Sequence, residues 1–423
     1  MNDLNFYDPQ ETRTTAEREA DLMAALPVQI ANAQSNASAF AHILKGIDAS
    51  QVTTRAALAA LPVTRKHELL EHQAAARAAN SSQKNVFGGF NTKPFGKATP
   101  RVFASPGPIY EPEGKAADYW RMARSIYAAG FRAGELIHNC FSYHFVPAGS
   151  MMESGAHAVG CTVFPGGTGQ TEQQVQAIQH LQPSGYIGTP SFLKIIVEKA
   201  LELGQPLPKS FNKAMLGGEA FPPSLRDWLL ARGIAGYQCY ATADLGLIAY
   251  ETEAREGLVL DEGVILEIVR PGTGDPVPEG EVGEVVVTSL NPDYPLIRFG
   301  TGDLSAVLAG NCPTGRTNIR IKGWMGRADQ TTKMRGMFVH PGQIDTVAKR
   351  FPEIKRARMV VSGEMANDQM LLKVEVGSPH DDLVERIGAA VREVTKLRAD
   401  VELCAVGSLP NDGKVIEDAR SYQ

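Results

Sequence analysis

Apolar and polar positions along this chain alternate between a short-strand pattern and a helical pattern. Compact apolar runs, typical of buried strands, lie at 102–105, 136–146, 160–166, 185–189 and 214–218. Segments with helical spacing lie between them at 115–129, 171–181 and 191–203. Strands that alternate with helices predict parallel β layers covered by helices.

The start of the chain has helical spacing over 11–45, and 61–70 is typical of a turn that enters a helix. The helix at 171–181 has start and stop signals. Thr171 is predicted as its N-cap, Gln174 as the partner in a capping box, and Pro183 stands just beyond its end.

The pattern changes in the last third of the chain. Residues 257–287 are β-rich and interrupted by a turn-rich connector, which predicts an antiparallel barrel or sheet. The remaining chain predicts a small α+β unit, with strands at 355–361, 369–376 and 401–406 and an amphipathic helix at 381–398. We expect an α/β protein with a large domain of helix-covered β-sheets and a β-barrel-like part at 1–328, and a small α+β domain at 329–423.

Composition narrows the functional classes. The net charge is −5, without a block of like charge, so a nucleic-acid partner is not expected. No apolar run approaches the ~20 residues of a membrane helix, and the polar N-terminus lacks a signal-peptide core. The five cysteines are scattered and odd in number, which favours reduced thiols and a cytoplasmic location.

Three motifs in fixed order carry the chemistry of this sequence. They are YPLIRFGTGDLS at 294–305, GRADQTTKMRGMFVHPGQID at 326–345, and a late GK at 413–414. Together with the earlier segments FYDPQ, LPVTRKHEL and GAHAVGCTVFPGGTGQTEQQV, they resemble adenylate-forming enzymes, in particular the phenylacetate–CoA ligases. The resemblance extends over nearly the whole chain and implies that the small C-terminal domain is mobile.

The resemblance implies roles for four residues of these motifs. Asp303 would accept hydrogen bonds from the ribose hydroxyls of the nucleotide, and Arg327 would lie near the ribose. Asp329 would be the hinge about which the small domain rotates. Lys414 would be the catalytic lysine, placing its charge between the substrate carboxylate and the α-phosphate. A turn aspartate and a solvated lysine are the simpler alternatives for Asp303 and Lys414.

The segment CYATADLG at 239–246 resembles the family pattern Tyr-Gly-x-(Ser/Thr)-Glu. The resemblance implies that Tyr240 stacks on adenine, that Thr242 lies close to the α-phosphate and that Asp244 holds Mg²⁺. Ala241 replaces the glycine and Asp244 the glutamate, which shortens the acidic side chain by one methylene. The segment LGGEAF adds Gly217, Gly218 and Glu219 as candidates for the adenine side, with a helix-capping turn as the alternative.

The largest departure from the family is SPGPIYEP at 105–112, where the family has a Ser-Ser-Gly-Thr-Thr-Gly-x-Pro loop that holds the β- and γ-phosphates of ATP. Pro108 cannot donate a backbone hydrogen bond, Ile109 has no hydroxyl, and Glu111 would repel phosphate unless a metal intervenes. Only Ser105 and Gly107 remain as candidate nucleotide ligands in this segment.

An acyl pocket is expected around 141–152, where the resemblance directs Phe141, Tyr143, Phe145 and Met151 towards an apolar or aryl group. Ordinary hydrophobic core is the alternative for each. PGGTGQ at 165–170 could cradle phosphate, although a plain strand-to-helix turn is favoured. His138, Cys140 and His144 could suggest a metal, although a core or pocket role is favoured because no metal-binding spacing supports it.

These observations predict an AMP-forming acyl- or aryl-CoA ligase that activates a phenylacetate-like or other short apolar acid. Its cofactors and substrates would be ATP (with AMP as product), Mg²⁺, CoA and a small carboxylic acid, without a membrane or nucleic-acid partner; a homodimer is compatible with the sequence. Two alternatives stay open. One is a non-catalytic sensor of adenylate or acyl-CoA, which the altered 105–112 segment favours. The other is acyl transfer to a carrier-protein thiol.

Overall fold

Local hydrogen bonding decides where the predicted elements begin and end. The computed structural model describes residues 6–79, 86–328, 330, 332–334, 337–339, 341–363, 368–377, 382–410 and 414–420. The chain divides into two compact units, Met1–Met325 and Gly326–Gln423. Within the described residues, no helix combines the length and the apolar character needed to cross a membrane.

The N-terminal segment is helical and contains one short strand. Its elements are α1 Thr15–Asn36, α2 Ser38–Ile43, α3 Arg55–Ala59, β1 Thr64–Arg65 and α4 Lys66–Ala78, with 3-10 helices at Pro9–Thr12 and Ala49–Gln51. The single helix expected over 11–45 is wrong. Ala37 is extended and separates α1 from α2, and the backbone N–H of Ala39 donates to the carbonyl of Gly89.

A large sheet with its covering helices forms the centre of the first unit. Its elements are α5 Ala123–Ala128, β4 Leu136–Asn139, α6 Ala148–Val159, β5 Thr162–Pro165, α7 Thr171–Leu181, β6 Gly185–Gly188, α8 Pro190–Glu202, β7 Lys213–Leu216, α9 Pro223–Leu230, β8 Ala235–Thr242, β9 Gly246–Glu251 and β10 Leu258–Leu260. With β14 Val307–Leu308 and β15 Arg320–Ile321, the described strands run in the order β14-β15-β10-β9-β8-β7-β6-β4-β5. Strands β4 to β8 are parallel, as the alternating pattern predicts.

Two elements of this region are shorter than expected. The helix expected over 115–129 begins only at Ala123, because the carboxylate of Asp118 accepts hydrogen bonds from the backbone of Met122 and Ala123 at 2.7 and 2.9 Å. The strand expected over 136–146 ends at Asn139, whose side chain turns back to accept from the N–H of Phe141 at 3.1 Å.

The β-rich region forms a second sheet. It contains β11 Val264–Val269, β12 Gly283–Ser289 and β13 Phe299–Ser305, in the order β1-β13-β12-β11. Of the two architectures left open by the sequence, the described residues form the sheet. Strand β1 pairs in parallel with β13, with Thr64 opposite Phe299 and Arg65 opposite Gly300.

The 105–112 segment is a hairpin. Strand β2 Arg101–Ser105 pairs antiparallel with β3 Ile109–Glu113, with Ser105 opposite Ile109. The expectation that a loop follows β2 is therefore wrong beyond the turn itself. Ile109 is buried, and a buried apolar anchor together with cross-strand pairing is what holds this segment as a strand.

The second unit is α+β, as predicted. Its elements are β16 Thr332–Met334, β17 Met337–Val339, α10 Pro341–Lys349, β18 Ile354–Ser362, β19 Gln369–Val376, α11 Leu383–Thr395, β20 Asp400–Cys404 and β21 Ile416–Asp418. A four-stranded sheet runs in the order β20-β19-β18-β21. Leu383, Ile387 and Val391 of α11 are buried in the core of this unit, at the positions that the helical spacing selects.

One buried ion pair joins several parts of the first unit. Arg298, just before β13, donates to both carboxylate oxygens of Glu267 at 2.9 and 3.0 Å. Its remaining donors reach the backbone carbonyls of Ala59 and Leu61, between α3 and β1, and of Gly274. All five donors of the guanidinium group are thus satisfied in a site where Arg298 is only 2% exposed.

We expect Arg298→Met to lower the free energy of unfolding by about 3–5 kcal/mol, because Glu267 would remain buried without its counter-charge. Urea unfolding followed by circular dichroism measures the loss. The matched control is Arg55→Met, which breaks the half-exposed pair with Glu19 (41% exposure on both side chains) and should cost about 0–1 kcal/mol. Equal losses in the two variants would contradict the central role of Arg298.

Candidate active site

The loops that follow the parallel strands contain most of the candidate residues. The carboxyl ends of β4, β6, β7 and β8 meet at one edge of the sheet, because these strands are parallel neighbours. In open α/β sheets, ligands bind in the crevice at this edge. The candidates that follow these strands are Phe141, Tyr143, Gly217, Gly218, Glu219 and Thr242, with Tyr240 near the end of β8.

Asp303 is held at both of its carboxylate oxygens. Oδ2 accepts from the hydroxyl of Tyr240 at 2.8 Å, and Oδ1 accepts from the indole Nε1 of Trp324 at 3.1 Å. The Tyr240 hydroxyl also lies 3.2 Å from Oγ1 of Thr301, which in turn accepts from the backbone N–H of Asp303. The structure therefore brings Tyr240 and Asp303 together from motifs that are about sixty residues apart, and fixes the orientation of the carboxylate.

Gly217 and Gly218 lie directly after β7, where side chains would be obstructive. A Cβ atom on Gly217 would come within 2.8 Å of Sγ of Cys239, and Gly218 has a φ of +76°. Glu219 accepts a hydrogen bond from Oγ of Ser191 at 2.5 Å, at the start of α8. This turn allows a close approach of the backbone to a planar ligand, but Glu219 also has a local structural partner.

Asp244 lies in a buried polar cluster with the hairpin. Its Oδ2 accepts from the ammonium group of Lys66 at 3.0 Å, and its side chain is 2% exposed. Ser105 is also buried and donates its hydroxyl to Oε1 of Glu111 at 2.8 Å. Glu111 is completely buried, and burial followed by the charge of Asp244 raises its pKa well above the usual value.

The hydroxyl of Ser105 is thus engaged within the hairpin, whereas Gly107 is exposed at its tip. Glu111 is completely buried, so its charge needs a partner within the protein or from a ligand. That it repels phosphate unless a metal intervenes remains a prediction.

The four aromatic and apolar pocket candidates separate into two groups. Phe141 and Met151 are buried in the core of the large sheet, and Tyr143 is half-buried. The hydroxyl of Tyr143 donates to Glu153 at 2.9 Å and accepts from Nδ2 of Asn139 at 2.8 Å. Phe145, in contrast, is 83% exposed, so its side chain does not contribute to a buried wall in this conformation of the first unit.

The candidates of the second unit are described separately. Arg327 is half-buried, and its carbonyl accepts from the N–H of Gln330 at 3.5 Å. Lys414 is exposed just before β21, and the following residue donates its N–H to the side chain of Gln330 at 2.7 Å. Asp329, the predicted hinge, lies outside the described residues.

Sequence reasoning missed three residues that contact the candidates. Trp324 lies two positions before GRADQ and binds Asp303; Thr301 lies within LIRFGTGD itself. Lys66 lies in LPVTRKHEL, which was noted only as a point of resemblance. Lys66 directly follows β1 and begins α4, and its hydrogen bond to Asp244 joins two motifs 178 residues apart that no local spacing relates.

The motif around Tyr240 departs from the family in a third position. Counted from Tyr240, the Ser/Thr of the pattern falls on Ala243, and Thr242 stands one residue earlier. The Thr242 hydroxyl accepts from the backbone N–H of Leu245 at 3.1 Å, which stabilises the turn after β8. Thr242 therefore remains a candidate through its place at the sheet edge.

The glycine-rich turn at 165–170 is a strand-to-helix connection. Gln174 does not complete a capping box, because the N-cap is Gln170 in the left-handed region with a φ of +51° and makes no side-chain cap. The side-chain amide of Gln174 instead donates to the carbonyls of Gly166, Gly167 and Gly169 at 2.9 to 3.2 Å. Its Oε1 accepts from Nε2 of buried His138 at 2.7 Å.

Two models of one family match most of this chain. The AMP-binding enzyme model matches residues 116–291, and the model of its C-terminal domain matches residues 336–418. The chain is similar to phenylacetate–coenzyme A ligase of Thermus thermophilus, with 34% identity over 67% of this chain and 65% of that protein. It is similar to the enzyme of the same name from Aromatoleum evansii, with 29% identity over 87% and 84% of the two chains.

Solved structures share the fold over the whole chain. The structure of 2-hydroxyisobutyryl-CoA ligase in complex with 2-HIB-AMP and CoA has a TM-score of 0.81 and 24% identity, and covers 100% of this chain and 96% of that one. The helix-covered sheet and the small α+β unit are thus those of the adenylate-forming class of fold. The chain belongs to the AMP-binding enzyme family, and its resemblance to the phenylacetate–CoA ligases is confirmed.

Buried His138, near the carboxyl end of β4, leads to a prediction about how stability depends on pH. Burial lowers the pKa of His138 from 6.5 to about 4, and the bond to Gln174 opposes that shift only in part. As pH falls below 6.5, His138 binds a proton in the unfolded chain but stays neutral in the folded protein. The free energy of unfolding therefore decreases until about pH 4. A difference of that size corresponds to about 3 kcal/mol at most.

We expect His138→Gln to reduce this loss, measured as the change in unfolding free energy between pH 7 and pH 4. The matched control is His144→Gln, which replaces an exposed histidine and should keep the pH dependence of the wild type. A pH profile for His138→Gln that is parallel to the wild type would contradict the prediction.

Proposed function

We propose that this protein is an AMP-forming acyl-CoA ligase. A carboxylate oxygen of the substrate attacks the α-phosphorus of ATP, a new P–O bond forms and pyrophosphate leaves. The thiolate of CoA then attacks the acyl carbon, and AMP leaves. The observation that carries the proposal is the carboxylate of Asp303, held by Tyr240 and Trp324 beside the carboxyl edge of the parallel sheet.

Named relatives support this activity over the alternatives. The relatives that match over most of this chain are phenylacetate–CoA ligases, which form acid–thiol bonds, so a non-catalytic sensor is not favoured. The match to the Thermus enzyme spans 65% of that protein.

The cytoplasmic location and the homodimer remain predictions from the sequence.

Asp303, with both oxygens already oriented, is the proposed acceptor for the ribose hydroxyls. Tyr240 would contact adenine with its ring, because its hydroxyl is engaged by Asp303. Gly217 and Gly218 would allow the backbone to approach the base, and Arg327 would lie near the ribose. Lys414 is the proposed catalytic lysine, whose charge would stabilise the transition state at the α-phosphate. We retain Asp329 as the hinge and 329–423 as the mobile domain that carries Lys414.

The acid is proposed to enter at the loop after β4. Phe141 and Met151 offer buried apolar surface there, and Tyr143 adds a polar edge through its bonds to Asn139 and Glu153. An aryl or short apolar acid fits this chemistry. Asp244 would hold Mg²⁺, since its Oδ1 is buried without a hydrogen-bond donor. The ion, when bound, would neutralise charge on the phosphates.

The proposal is tested by pyrophosphate release from ATP across a panel of aryl and aliphatic acids, with and without CoA. In this assay we expect Lys414→Ala to slow adenylation about 10²–10³-fold, because one preorganised charge is lost from the transition state. Thioester formation from supplied acyl-adenylate should stay largely intact. The control is Lys355→Ala, an exposed lysine of the same unit. Unchanged adenylation in Lys414→Ala would remove the residue from the mechanism.

A second prediction concerns nucleotide affinity. Asp303→Ala should weaken AMP binding about a hundredfold or more, because two charge-assisted hydrogen bonds worth ~1.5–3 kcal/mol each would be lost. Isothermal titration calorimetry measures the affinity, and a thermal melt checks folding. Asp275→Ala, at a turn of the same unit, is the control. Equal AMP affinity in Asp303→Ala and wild type would exclude Asp303 from the site.

A further inference from the structure

Glu111 has no function in the scheme above, and yet it is completely buried. Its Oε1 accepts from the hydroxyl of Ser105 at 2.8 Å, while its Oε2 has no hydrogen-bond donor. An isolated buried carboxylate costs several kcal/mol unless it is paired with a charge or a ligand. The residue lies on β3, in the hairpin that replaces the phosphate-binding loop of the family.

Asp244 has the same arrangement. One oxygen accepts from Lys66 at 3.0 Å, and the other, Oδ1, is buried without a donor. The carboxyl groups of Glu111 and Asp244 lie within hydrogen-bonding reach of each other. Lys66 can balance only one of two negative charges, so the pair retains an excess of one when both are ionised.

The hydroxyl of Tyr294 is a further buried polar atom without a hydrogen-bond partner. Native proteins rarely leave several buried polar atoms unsatisfied around one point unless a ligand completes them.

A proton or a cation could complete this cluster. A shared proton would satisfy the two carboxyl oxygens and balance the excess charge. A divalent cation would also satisfy both oxygens, and the phosphates that it accompanies would balance its second positive charge. Mg²⁺ is usually bound by one or two carboxylates together with substrate phosphates and water.

We propose that Glu111 and Asp244 together form a two-carboxylate site for the divalent cation that accompanies ATP. The inference rests on the proposed function and deepens it. In place of the hydroxyl and amide groups that bind phosphate directly in the family loop, the hairpin has a second carboxylate. This carboxylate binds phosphate through the metal ion. Glu111 acts on the phosphates only through the cation, which makes it a metal-positioning residue.

Mn²⁺ binding tests the site without reference to turnover. The free Mn²⁺ signal in electron paramagnetic resonance is titrated with the full chain in the presence of α,β-methylene ATP. We expect Glu111→Gln to weaken Mn²⁺ binding at least tenfold. The matched control is Glu113→Gln, on the same strand, whose carboxylate pairs with Arg101 at 3.1 Å and should leave the affinity within twofold. Equal affinity in Glu111→Gln and wild type, or no bound Mn²⁺ in the wild type, would overturn the proposal.

A second measurement uses the unmodified protein, and so does not depend on the folding of a variant. Fe²⁺ with ascorbate and peroxide cleaves a backbone close to a bound metal. We expect cleavage near residue 111 and near residue 244, both suppressed by excess Mg²⁺. Cleavage near 244 alone would show that Glu111 is not a ligand and would favour the shared proton.

The outcomes separate this proposal from the proposed function. Without pyrophosphate release for any acid, a Mn²⁺ site that still depends on Glu111 would overturn the ligase activity and leave the cation site standing. Normal pyrophosphate release together with Mn²⁺ binding that is insensitive to Glu111→Gln would overturn the cation site alone.

Discussion

The arrangement of the first unit depends on the position of strand β13, and a single buried guanidinium group fixes that position. Arg298 stands at the entrance of the strand with a φ of +45° and binds Glu267 of β11 together with three backbone carbonyls. Breaking such a pair leaves a buried charge uncompensated, which is why its geometry tolerates little displacement. Arg298 therefore fixes the start of the strand, where Phe299 and Gly300 pair with Val287 and Val286 before the register shifts.

Two contacts of this strand bring together residues of the candidate site. The carbonyl of Arg298 accepts from the backbone N–H of Thr64, which starts the parallel pairing of β1 with β13, and Lys66 follows directly as the first residue of α4. Five residues after Arg298, Asp303 meets Tyr240 from the large sheet. Side chains from three distant segments meet because strand β13 belongs to the four-stranded sheet and also carries a candidate site residue. Its position relative to the sheet is therefore fixed.

The sequence predicted what depends on local pattern. The strand–helix alternation and the C-terminal α+β unit repeat simple periods, and the structure confirms them. It could not predict features that depend on which backbone groups one side chain binds. Asn139 ends its strand early, and Gln174 holds three glycine carbonyls instead of capping its helix. No spacing within either motif predicts the hydrogen bond between Tyr240 and Asp303. Only the family resemblance relates the two residues to one nucleotide site.

The hairpin at 101–113 shows why a residue's charge has different consequences in a loop and in a strand. In a loop, Pro108 and Glu111 would weaken phosphate binding, because Pro108 lacks a backbone N–H donor and Glu111 adds a negative charge. In strand β3, Glu111 points inward. Ser105, at the end of β2 on the other side of the hairpin turn, donates a hydrogen bond to its carboxylate. A buried carboxylate cannot remain both ionised and alone, so its burial against Asp244 requires a proton or a counter-charge. In the proposed two-carboxylate site, the change that removes a phosphate donor from the hairpin is the same change that adds a ligand for the cation that accompanies phosphate.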